Sequence, residues 1–402
     1  MGTQLNKNEA DGYDHKLRVY SNITQMIANP ENPTPLVRVN RINQNPGFQV
    51  YLKLERYNPF GSVKDRIALE MLNGLDAGNR TVIEPSSGNT GIALAGLANA
   101  SGLAIEIAVP ERIPEEKKVL LSLMGVKVRE ADDALCPLFP TEGARGLVNA
   151  LVSSPATRDN YISPNQYENE LNVQAHYRTT GPEIWLQTAG KIGYFFAGLG
   201  TGGTISGVGK YLKEKNPAVK IIAVEPSSSN HNLPGLKRIT GLSKELEPKI
   251  LDRSVIDEVV EVTDEDAYQT AIDLARKDGI LVGPTTGAIL HVALQLGKTN
   301  RGVAVAISPD DAFKYASFYK NFLGKEPGEA RIKKLDIRNF VCPLSKMKAT
   351  ELLDSMTAGE TAEIVLGDKD SLRSVAQELR TRGLKSSFRQ EDEAKFVLSV
   401  TK

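Results

Sequence analysis

The chain has 402 residues, 41% hydrophobic and 24% charged, so at roughly 100–200 residues per domain it has room for two or three domains with buried cores. Its 49 basic and 49 acidic residues balance to a net charge of zero, which argues against binding to nucleic acid or to an anionic membrane. Two cysteines are too few for a disulfide framework or a four-cysteine zinc site, and no metal site is predicted. The N-terminus lacks a signal-peptide stretch, and no run approaches the roughly 20 apolar residues of a membrane span. These features predict a cytoplasmic protein.

Short apolar runs alternate with longer segments of helical periodicity between residues 34 and 310. The runs predict buried strands at 50–54, 81–83, 104–109, 194–197, 221–224 and 303–307. The intervening segments predict helices at 92–101, 115–124, 205–215 and 264–278. Repeated strand–helix units are typical of an α/β fold, in which helices cover parallel sheets and ligands bind beyond the carboxyl ends of the strands.

The pattern changes near residue 320. Residues 323–334 are polar and charged and contain Gly and Pro, which indicates a linker. Beyond it the sequence predicts a strand, a helix, a second strand, a second helix and a hairpin, at 335–341, 343–356, 362–366, 371–382 and 387–400. We therefore expect a large domain at 1–322, a linker at 323–334 and a small two-layer α+β domain at 335–402.

The densest local signal lies around Lys64. A strand ends at Asn58-Pro59, Gly61 permits a tight turn, and Ser62 can cap a helix that carries Lys64 in its first turn. The positive end of the helix dipole disfavours an ammonium there and favours the free amine that a Schiff base requires. Taken alone, this feature fits an exposed helix lysine better than a catalytic one.

Two further loops follow predicted strands and precede predicted helices. One places Ser86, Ser87, Asn89 and Thr90 at a helix N-terminus, where hydroxyl and N–H groups suit a carboxylate. The other, Gly-Thr-Gly-Gly-Thr at 200–204, offers N–H groups and two hydroxyls to a phosphate and lacks the lysine of a Walker A loop. A single glycine-rich turn is a weak signal, but a lysine, a carboxylate loop and a phosphate loop on one scaffold are specific together.

These motifs, with Thr34-Pro-Leu-Val-Arg38 before them, resemble the cysteine synthase/cystathionine β-synthase family of pyridoxal-phosphate enzymes, which has fold type II and two parallel-sheet subdomains. The resemblance extends from about residue 34 to Ile307. It implies that Lys64 bonds to the cofactor and that Asn89 contacts the phenolic oxygen. It assigns the other contacts as follows: Gly200, Thr201, Gly202, Gly203 and Thr204 to the phosphate, Thr285 to the pyridine nitrogen, and Ser86, Ser87, Thr90 and Gln166 to the substrate carboxylate.

The residue facing the pyridine nitrogen bears on the reaction type. The family usually has serine where this chain has Thr285, and both present a hydroxyl. A hydroxyl does not keep the ring nitrogen protonated, so the ring is a weaker electron sink and elimination at Cβ is favoured. The implied reaction is β-replacement on O-acetylserine or O-phosphoserine through α-aminoacrylate, with sulfide, thiosulfate or a carrier persulfide giving L-cysteine or S-sulfocysteine. The alternative is another β-replacement, which gives cystathionine or diaminopropionate.

The loop Pro-Gly-Leu-Lys-Arg-Ile at 234–239 aligns with the mouth of the site in this family. It resembles the Ile-Arg-Arg version of thiosulfate-using isozymes more than the His-Lys-Ile version of sulfide-using ones. Lys237 or Arg238 would then bind an anionic sulfur donor or phosphoserine, and a solvated surface pair is the alternative. His176 receives no catalytic role, and Cys136 is interpreted as a small buried hydrophobe.

The small domain contains the second cysteine. A predicted strand leads into Cys342, and Pro343 occupies the favoured first position of a helix. A thiol at a helix N-terminus with Lys346 nearby is stabilised as thiolate. Residues 335–402 resemble a TusA-like sulfurtransferase domain, whose cysteine carries a persulfide, although Ser345 stands where that family has a second proline.

Such a fusion implies that Cys342 delivers sulfur to the large domain. The alternative is an interaction or regulatory module without sulfur chemistry. The expected partners are an amino-acid substrate, a sulfur donor, a sulfur-relay protein and a second copy of the chain in a homodimer.

Overall fold

A computed structural model describes residues 18–86, 88–110, 115–131, 143–228, 231–320, 322–323, 332–340, 344–356, 360–392 and 395–402. The chain divides into a large compact unit within residues 1–321 and a small one made chiefly of residues 322–402. Residues 324–331 of the linker expected at 323–334 lie outside these ranges and stay a prediction, whereas residues 332–334 belong to the first strand of the small unit and not to a linker. No helix in the described ranges is long and apolar enough to cross a membrane.

The strands of the large unit form two sheets. In chain order, the strands are β1 (Leu36–Arg38), β2 (Phe48–Leu54), β3 (Thr81–Pro85), β4 (Ile105–Pro110), β5 (Lys127–Ala131), β6 (Tyr161–Ile162), β7 (Ile192–Gly198), β8 (Lys220–Pro226), β9 (Glu258–Val262) and β10 (Gly302–Ser308). One sheet has the order β1-β2-β10-β7-β8-β9 and is parallel except for β1, and the other has the parallel order β5-β4-β3-β6.

Helices lie between most of these strands. They are α1 (Lys64–Asn73), α2 (Asn89–Ser101), α3 (Glu115–Leu123), α4 (Gly143–Ser153), α5 (Glu170–Ala175), α6 (Gly181–Gln187), α7 (Gly203–Lys215), α8 (Asp264–Asp278), α9 (Pro284–Gly297) and α10 (Ala316–Lys320), with a π-helical turn at His176–Thr180. The six predicted strands and four predicted helices of this region are confirmed, with ends that differ by at most three residues. Helix α9 was missed because its apolar residues are buried on all sides and show no amphipathic period.

The sheet order determines where functional loops can meet. Strand β10 pairs with β2 on one side and with β7 on the other, and all three run parallel. The segments that follow these strands therefore all begin at the carboxyl ends of the strands, on the same side of the sheet, and the segment after β10 lies between the other two. Buried apolar side chains such as Leu52, Phe195 and Val305 hold these strands in place.

The small unit has one sheet and two helices. Its elements are β11 (Ile332–Asp336), α11 (Leu344–Ser355), β12 (Thr361–Leu366), α12 (Lys369–Thr381), β13 (Lys385–Asp392) and β14 (Lys395–Thr401), with the sheet order β11-β12-β14-β13. Ile364, Leu398 and Val375 belong to its buried core. The first strand was expected at 335–341 but ends at Asp336, because the Asp336 carboxylate accepts from the Arg338 N–H and turns the chain.

Candidate active site

Lys64 is the first residue of α1, and the turn before it is held by side chains. The Ser62 Oγ accepts from the Lys64 N–H at 3.2 Å and donates to the Asp65 Oδ1 at 3.0 Å. The Asp65 Oδ2 accepts from the Phe60 N–H at 2.6 Å. Burial lowers the pKa of Lys64 to about 8, although the Asp310 carboxylate opposes the shift. This environment makes the free amine accessible near neutral pH.

The glycine-rich loop lies between β7 and α7, as predicted. The N–H groups of Thr201, Gly202 and Thr204 donate to no acceptor within the described residues. Gly202 has φ +88°, which favours glycine, and a Cβ on Gly203 would collide with the Asn172 side chain. The loop therefore forms a cradle of backbone N–H donors, and side chains in place of its glycines would fill the space within it.

His176 supports this cradle, a role that the sequence did not reveal. Its Nδ1 lies 2.9 Å from the Thr180 Oγ1, and its Nε2 lies 3.1 Å from the Thr204 Oγ1. Burial holds the pKa of His176 well below its ordinary value, and Arg66 and Lys64 add to the shift. A neutral imidazole donates at one nitrogen and accepts at the other, so the ring fixes the Thr204 hydroxyl.

The carboxylate loop and Gln166 come together at the start of α2. The Ser86 Oγ accepts from the N–H groups of Gly88 and Gly91, at 3.3 and 2.9 Å. The Thr90 Oγ1 donates to the Gln166 Oε1 at 2.8 Å. Ser87 lies outside the described residues.

Glu84 holds Gln166 in place through hydrogen bonds to the backbone. Its fully buried carboxylate accepts from the Gln166 N–H at 2.9 Å, from the Asn165 N–H at 2.8 Å and from the Ser163 Oγ at 2.9 Å. Burial raises the pKa of Glu84 to about 7, against these three hydrogen bonds. The sequence placed Glu84 beside the loop, but its partners lie some 80 residues away.

One cavity brings most of the predicted cofactor residues together. Its lining includes Lys64, Asn89, Gly200, Thr201, Gly202, Thr204 and Thr285. The Thr285 Oγ1 donates to the Pro234 carbonyl oxygen at 2.8 Å. Asp310, from the segment after β10, also lines the cavity and was not predicted.

Arg238 does not line this cavity. Its Nη2 pairs with the Glu261 Oε1 at 2.9 Å, and both side chains are partly exposed. Pro234, Gly235 and Leu236 of the same loop do line the cavity. The Lys237 Nζ lies 4.3 Å from the centre of the Tyr167 ring and has no carboxylate partner among the described residues.

A buried ion-pair network under α1 was also missed. Arg66 contacts Glu55 and Glu183, and the Lys53 Nζ lies 2.6 Å from the Glu183 Oε2. All four side chains are at most 2% exposed. The network ties α1 to β2 and α6, so it anchors the helix that begins with Lys64.

Cys342 and Cys136 lie outside the described residues. Ser345, the departure from the Cys-Pro-x-Pro pattern, is buried, and its Oγ donates to the Ser371 Oγ at 3.0 Å. This bond joins the first turns of α11 and α12, so the hydroxyl has a structural partner in the small unit. No group of three or more metal-ligating side chains occurs in the described ranges.

Comparisons with known proteins agree with this site. Residues 27–310 match the family described as "Pyridoxal-phosphate dependent enzyme", and residues 333–402 match "Sulfurtransferase TusA". A cysteine synthase of Aquifex aeolicus is 41% identical over 295 residues, which are 70% of this chain and 88% of that protein. An O-acetylserine dependent cystathionine beta-synthase of Bacillus subtilis is 35% identical, over 75% of this chain and 97% of its own.

Solved structures give the same result. A cysteine synthase from Entamoeba histolytica superposes with a TM-score of 0.69 and 28% identity, over 78% of this chain and 94% of its own. A hydrogen sulfide-producing enzyme from Fusobacterium nucleatum gives 0.66 and 34%, over 74% of this chain and 98% of its own.

The residues of the cavity fit pyridoxal phosphate. The cradle offers unpaired N–H groups to a phosphate, Lys64 offers an amine of lowered pKa to the aldehyde, and Thr285 offers a hydroxyl to the ring. The chain belongs to the pyridoxal-phosphate dependent enzyme family that includes the cysteine synthases and cystathionine β-synthases, and it carries a C-terminal TusA domain.

Proposed function

We propose that the chain catalyses β-replacement on O-acetylserine or O-phosphoserine with a sulfur nucleophile, which forms L-cysteine or S-sulfocysteine. The observation that carries the proposal is the convergence of Lys64, the cradle and a hydroxyl residue, Thr285, on one cavity. Relatives named cysteine synthase support it. Sulfide, thiosulfate and a carrier persulfide are the candidate donors.

Lys64 is the proposed proton carrier. Its pKa of about 8 leaves a useful fraction of free amine at neutral pH, so Nζ can take the proton from Cα of the substrate and return one to the product. Bound pyridoxal phosphate supplies the electron sink that makes this proton acidic. Asn89 and Thr285 would hold the ring at its phenolic oxygen and its nitrogen, and residues 200–204 would hold the phosphate.

The substrate carboxylate is assigned to the N-terminus of α2. Ser86 and Thr90 present hydroxyls there, and Gln166 is fixed against Thr90 and Glu84. We assign Ser87 to the same group. Helix N-termini favour anions because their first N–H groups have no partner within the helix.

The anionic sulfur donor or the phosphoserine phosphate is assigned to the 234–238 loop. Neither side chain lines the cavity, and Lys237 is the first candidate because it has no carboxylate partner among the described residues, whereas Arg238 is paired with Glu261. The sequence assigned the anion to either Lys237 or Arg238, and the ion pair with Glu261 gives a reason to prefer Lys237.

Cys342 is the proposed sulfur carrier of the small domain. The terminal sulfur of a Cys342 persulfide would add to Cβ and leave a disulfide between Cys342 and the new cysteine. Two equivalents of an external thiol would reduce that disulfide, releasing both thiols and forming a disulfide between themselves. The competing interpretation is a docking or regulatory module. The domain boundary after residue 322, a homodimer and a sulfur-relay partner belong to this proposal.

A second candidate is cystathionine synthesis, which relatives from Bacillus subtilis and Apis mellifera favour by name. One assay separates the candidates: O-acetylserine, O-phosphoserine and serine, each with sulfide, thiosulfate, a persulfide donor and homocysteine. We expect turnover with a sulfur donor and an O-activated serine. A preference for homocysteine with every serine derivative would overturn the cysteine synthase proposal.

Cysteine variants test the carrier role in the same assay. Cys342→Ser should reduce cysteine formation from the persulfide donor by tenfold or more and leave the reaction with free sulfide unchanged. Cys136→Ser is the matched control. Wild-type rates for Cys342→Ser with every donor, and no persulfide on Cys342 by mass spectrometry, would favour the docking module.

A further inference from the structure

Lys314, after β10, uses all of its hydrogen-bond donors on two loops of the site. Its Nζ donates to the carbonyl oxygens of Phe60 and Gly61 at 2.8 and 3.0 Å and to the Asn89 Oδ1 at 3.2 Å. An ammonium has three N–H groups, and each of these has one acceptor. Lys314 therefore ties the turn before Lys64 to the side chain of Asn89.

Asp310 holds the other end of the same amide. Its Oδ2 accepts from the Asn89 Nδ2 at 2.6 Å and from the Tyr315 hydroxyl at 2.5 Å. Asp310 is 2% exposed. Flipping the Asn89 amide would turn its oxygen toward the Asp310 carboxylate and its NH₂ toward the Lys314 ammonium, and both contacts would be repulsive.

The backbone fixes this segment to the remaining loops. The Pro309 carbonyl accepts from the Val63 N–H at 2.8 Å, and the Asp310 carbonyl accepts from the Gly283 N–H at 3.3 Å. Val63 precedes Lys64, and Gly283 lies two residues before Thr285. The segment after β10 thus contacts the loops of all three proposed ring contacts, as its central place in the sheet allows.

We propose that Asp310 and Lys314 are positioning residues that lock the Asn89 amide in one flip state, with one Nδ2 hydrogen bound to Asp310 and the second left for the phenolic oxygen of the cofactor. The Asn89 amide also interacts with the Tyr315 hydroxyl, which itself donates to the same Asp310 oxygen. The inference rests on the proposed role of Asn89. Without Lys314 only the Asp310 contact opposes the flip, and in the flipped state the amide oxygen would face the oxygen of the cofactor.

The test compares two ligands in the full-length chain, purified without cofactor. One is pyridoxal phosphate, and the other is its analogue with hydrogen in place of the phenolic hydroxyl. Equilibrium dialysis gives the dissociation constant of each for the wild type, Asn89→Ala, Lys314→Met and Lys314→Arg. We expect Asn89→Ala and Lys314→Met to weaken pyridoxal phosphate by about tenfold or more and the analogue by less than twofold, with partial recovery in Lys314→Arg.

Lys117→Met is the matched control for loss of charge. Lys117 also acts electrostatically on Asp310, and its Nζ lies over the Tyr315 ring at 4.8 Å, but among the described residues no hydrogen bond joins it to the Asn89 side chain. It should therefore not change the ratio of the two dissociation constants. General damage to the fold would weaken both ligands equally, so only a changed ratio of the two dissociation constants supports the positioning role.

The two levels of the proposal fail differently. Equal weakening of both ligands by Asn89→Ala would remove the assignment of Asn89 to the phenolic oxygen. Discrimination by Asn89→Ala, together with an unchanged ratio for Lys314→Met, would overturn the positioning role while that assignment stands.

Discussion

The phosphate cradle and the clamp that Asp310 and Lys314 form on Asn89 serve the same cavity, but the residues of the two are spaced very differently along the chain. The cradle consists of five consecutive residues, 200–204, and its shape follows from the glycines within it. The clamp joins Asn89 to Asp310 and Lys314, more than 220 residues further along the chain. A local site can be recognised in the sequence, whereas a clamp of this kind exists only once the sheet order has brought the loops together.

The largest effect on turnover is expected from Lys64, which lines the same cavity as the cradle and Asn89. Lys64→Ala removes the amine that we propose attaches the cofactor and carries the proton, so turnover should fall by about 10³–10⁴-fold. Borohydride reduction followed by mass spectrometry should find no cofactor on residue 64. Phosphate-dependent binding should persist, because the cradle is intact. Normal turnover, or complete loss of cofactor affinity, would contradict this division of roles.

Buried long-range ion pairs should contribute more to stability than exposed ones. Glu183→Gln leaves Arg66 and Lys53 buried with one carboxylate fewer, and breaking such a pair costs about 3–5 kcal/mol of unfolding free energy. Urea unfolding measures the loss. Glu70→Gln is the control, because Glu70 pairs with the exposed Arg178 and should cost less than about 1 kcal/mol. Similar losses for the two variants would refute the comparison.

The reactivity of Lys64 should depend on pH in an unusual range. A pKa of about 8 in place of 10.5 means that half of the Lys64 amine in the cofactor-free chain is free at about pH 8, and that the free fraction levels off roughly one to two pH units higher. At pH 8 its fraction should exceed that of an ordinary lysine by about a hundredfold. Carbamylation by cyanate, followed by peptide mass spectrometry, reports this, with exposed Lys320 as the reference. A midpoint near 10.5 would rule it out.

The cradle itself can be tested with one methyl group. A Cβ on Gly200 would collide with the Gly235 carbonyl oxygen, so Gly200→Ala should weaken cofactor binding by about 5- to 150-fold, which corresponds to 1–3 kcal/mol of overpacking. Gly193→Ala, in the strand that leads to the cradle, has its nearest contact at 3.7 Å and should bind normally. Equal cofactor affinities of Gly200→Ala and Gly193→Ala would show that the loop can move to accept the methyl group, and would contradict this prediction.

The smallest effect is expected at Arg238. Its ion pair with Glu261 is partly exposed, so Arg238→Ala should change stability by less than about 1 kcal/mol. The KM for thiosulfate or O-phosphoserine should rise more in Lys237→Ala than in Arg238→Ala, while O-acetylserine with sulfide should hardly change. Steady-state kinetics with the four substrates decides the order. The reverse order would restore Arg238 as the main anion-binding residue.

The success of sequence-based inference follows the same division. The positions of Lys64 and Thr90 at helix starts and of the glycine-rich loop after a strand could be predicted, because a turn, a helix start and glycine spacing are local properties. Asp310, Lys314 and His176 could not, because their importance depends on partners from other strands. The pairing of Arg238 with β9 was equally hidden, and it alters the role expected for that residue. The segment after β10 still obeyed a general rule, since it follows the carboxyl end of a parallel strand.

Thr285 has one hydroxyl hydrogen, and the Pro234 carbonyl takes it at 2.8 Å. An unprotonated pyridine nitrogen is an acceptor and would need that same hydrogen, whereas a protonated one would donate to the Thr285 oxygen and leave the Pro234 bond in place. If Thr285 serves the ring as proposed, the protonation state of the ring and the tethering of the 234–238 loop are coupled through a single proton. The mobility of the loop that carries Lys237 would then depend on whether the ring nitrogen is protonated, and so on how strongly the ring withdraws electrons.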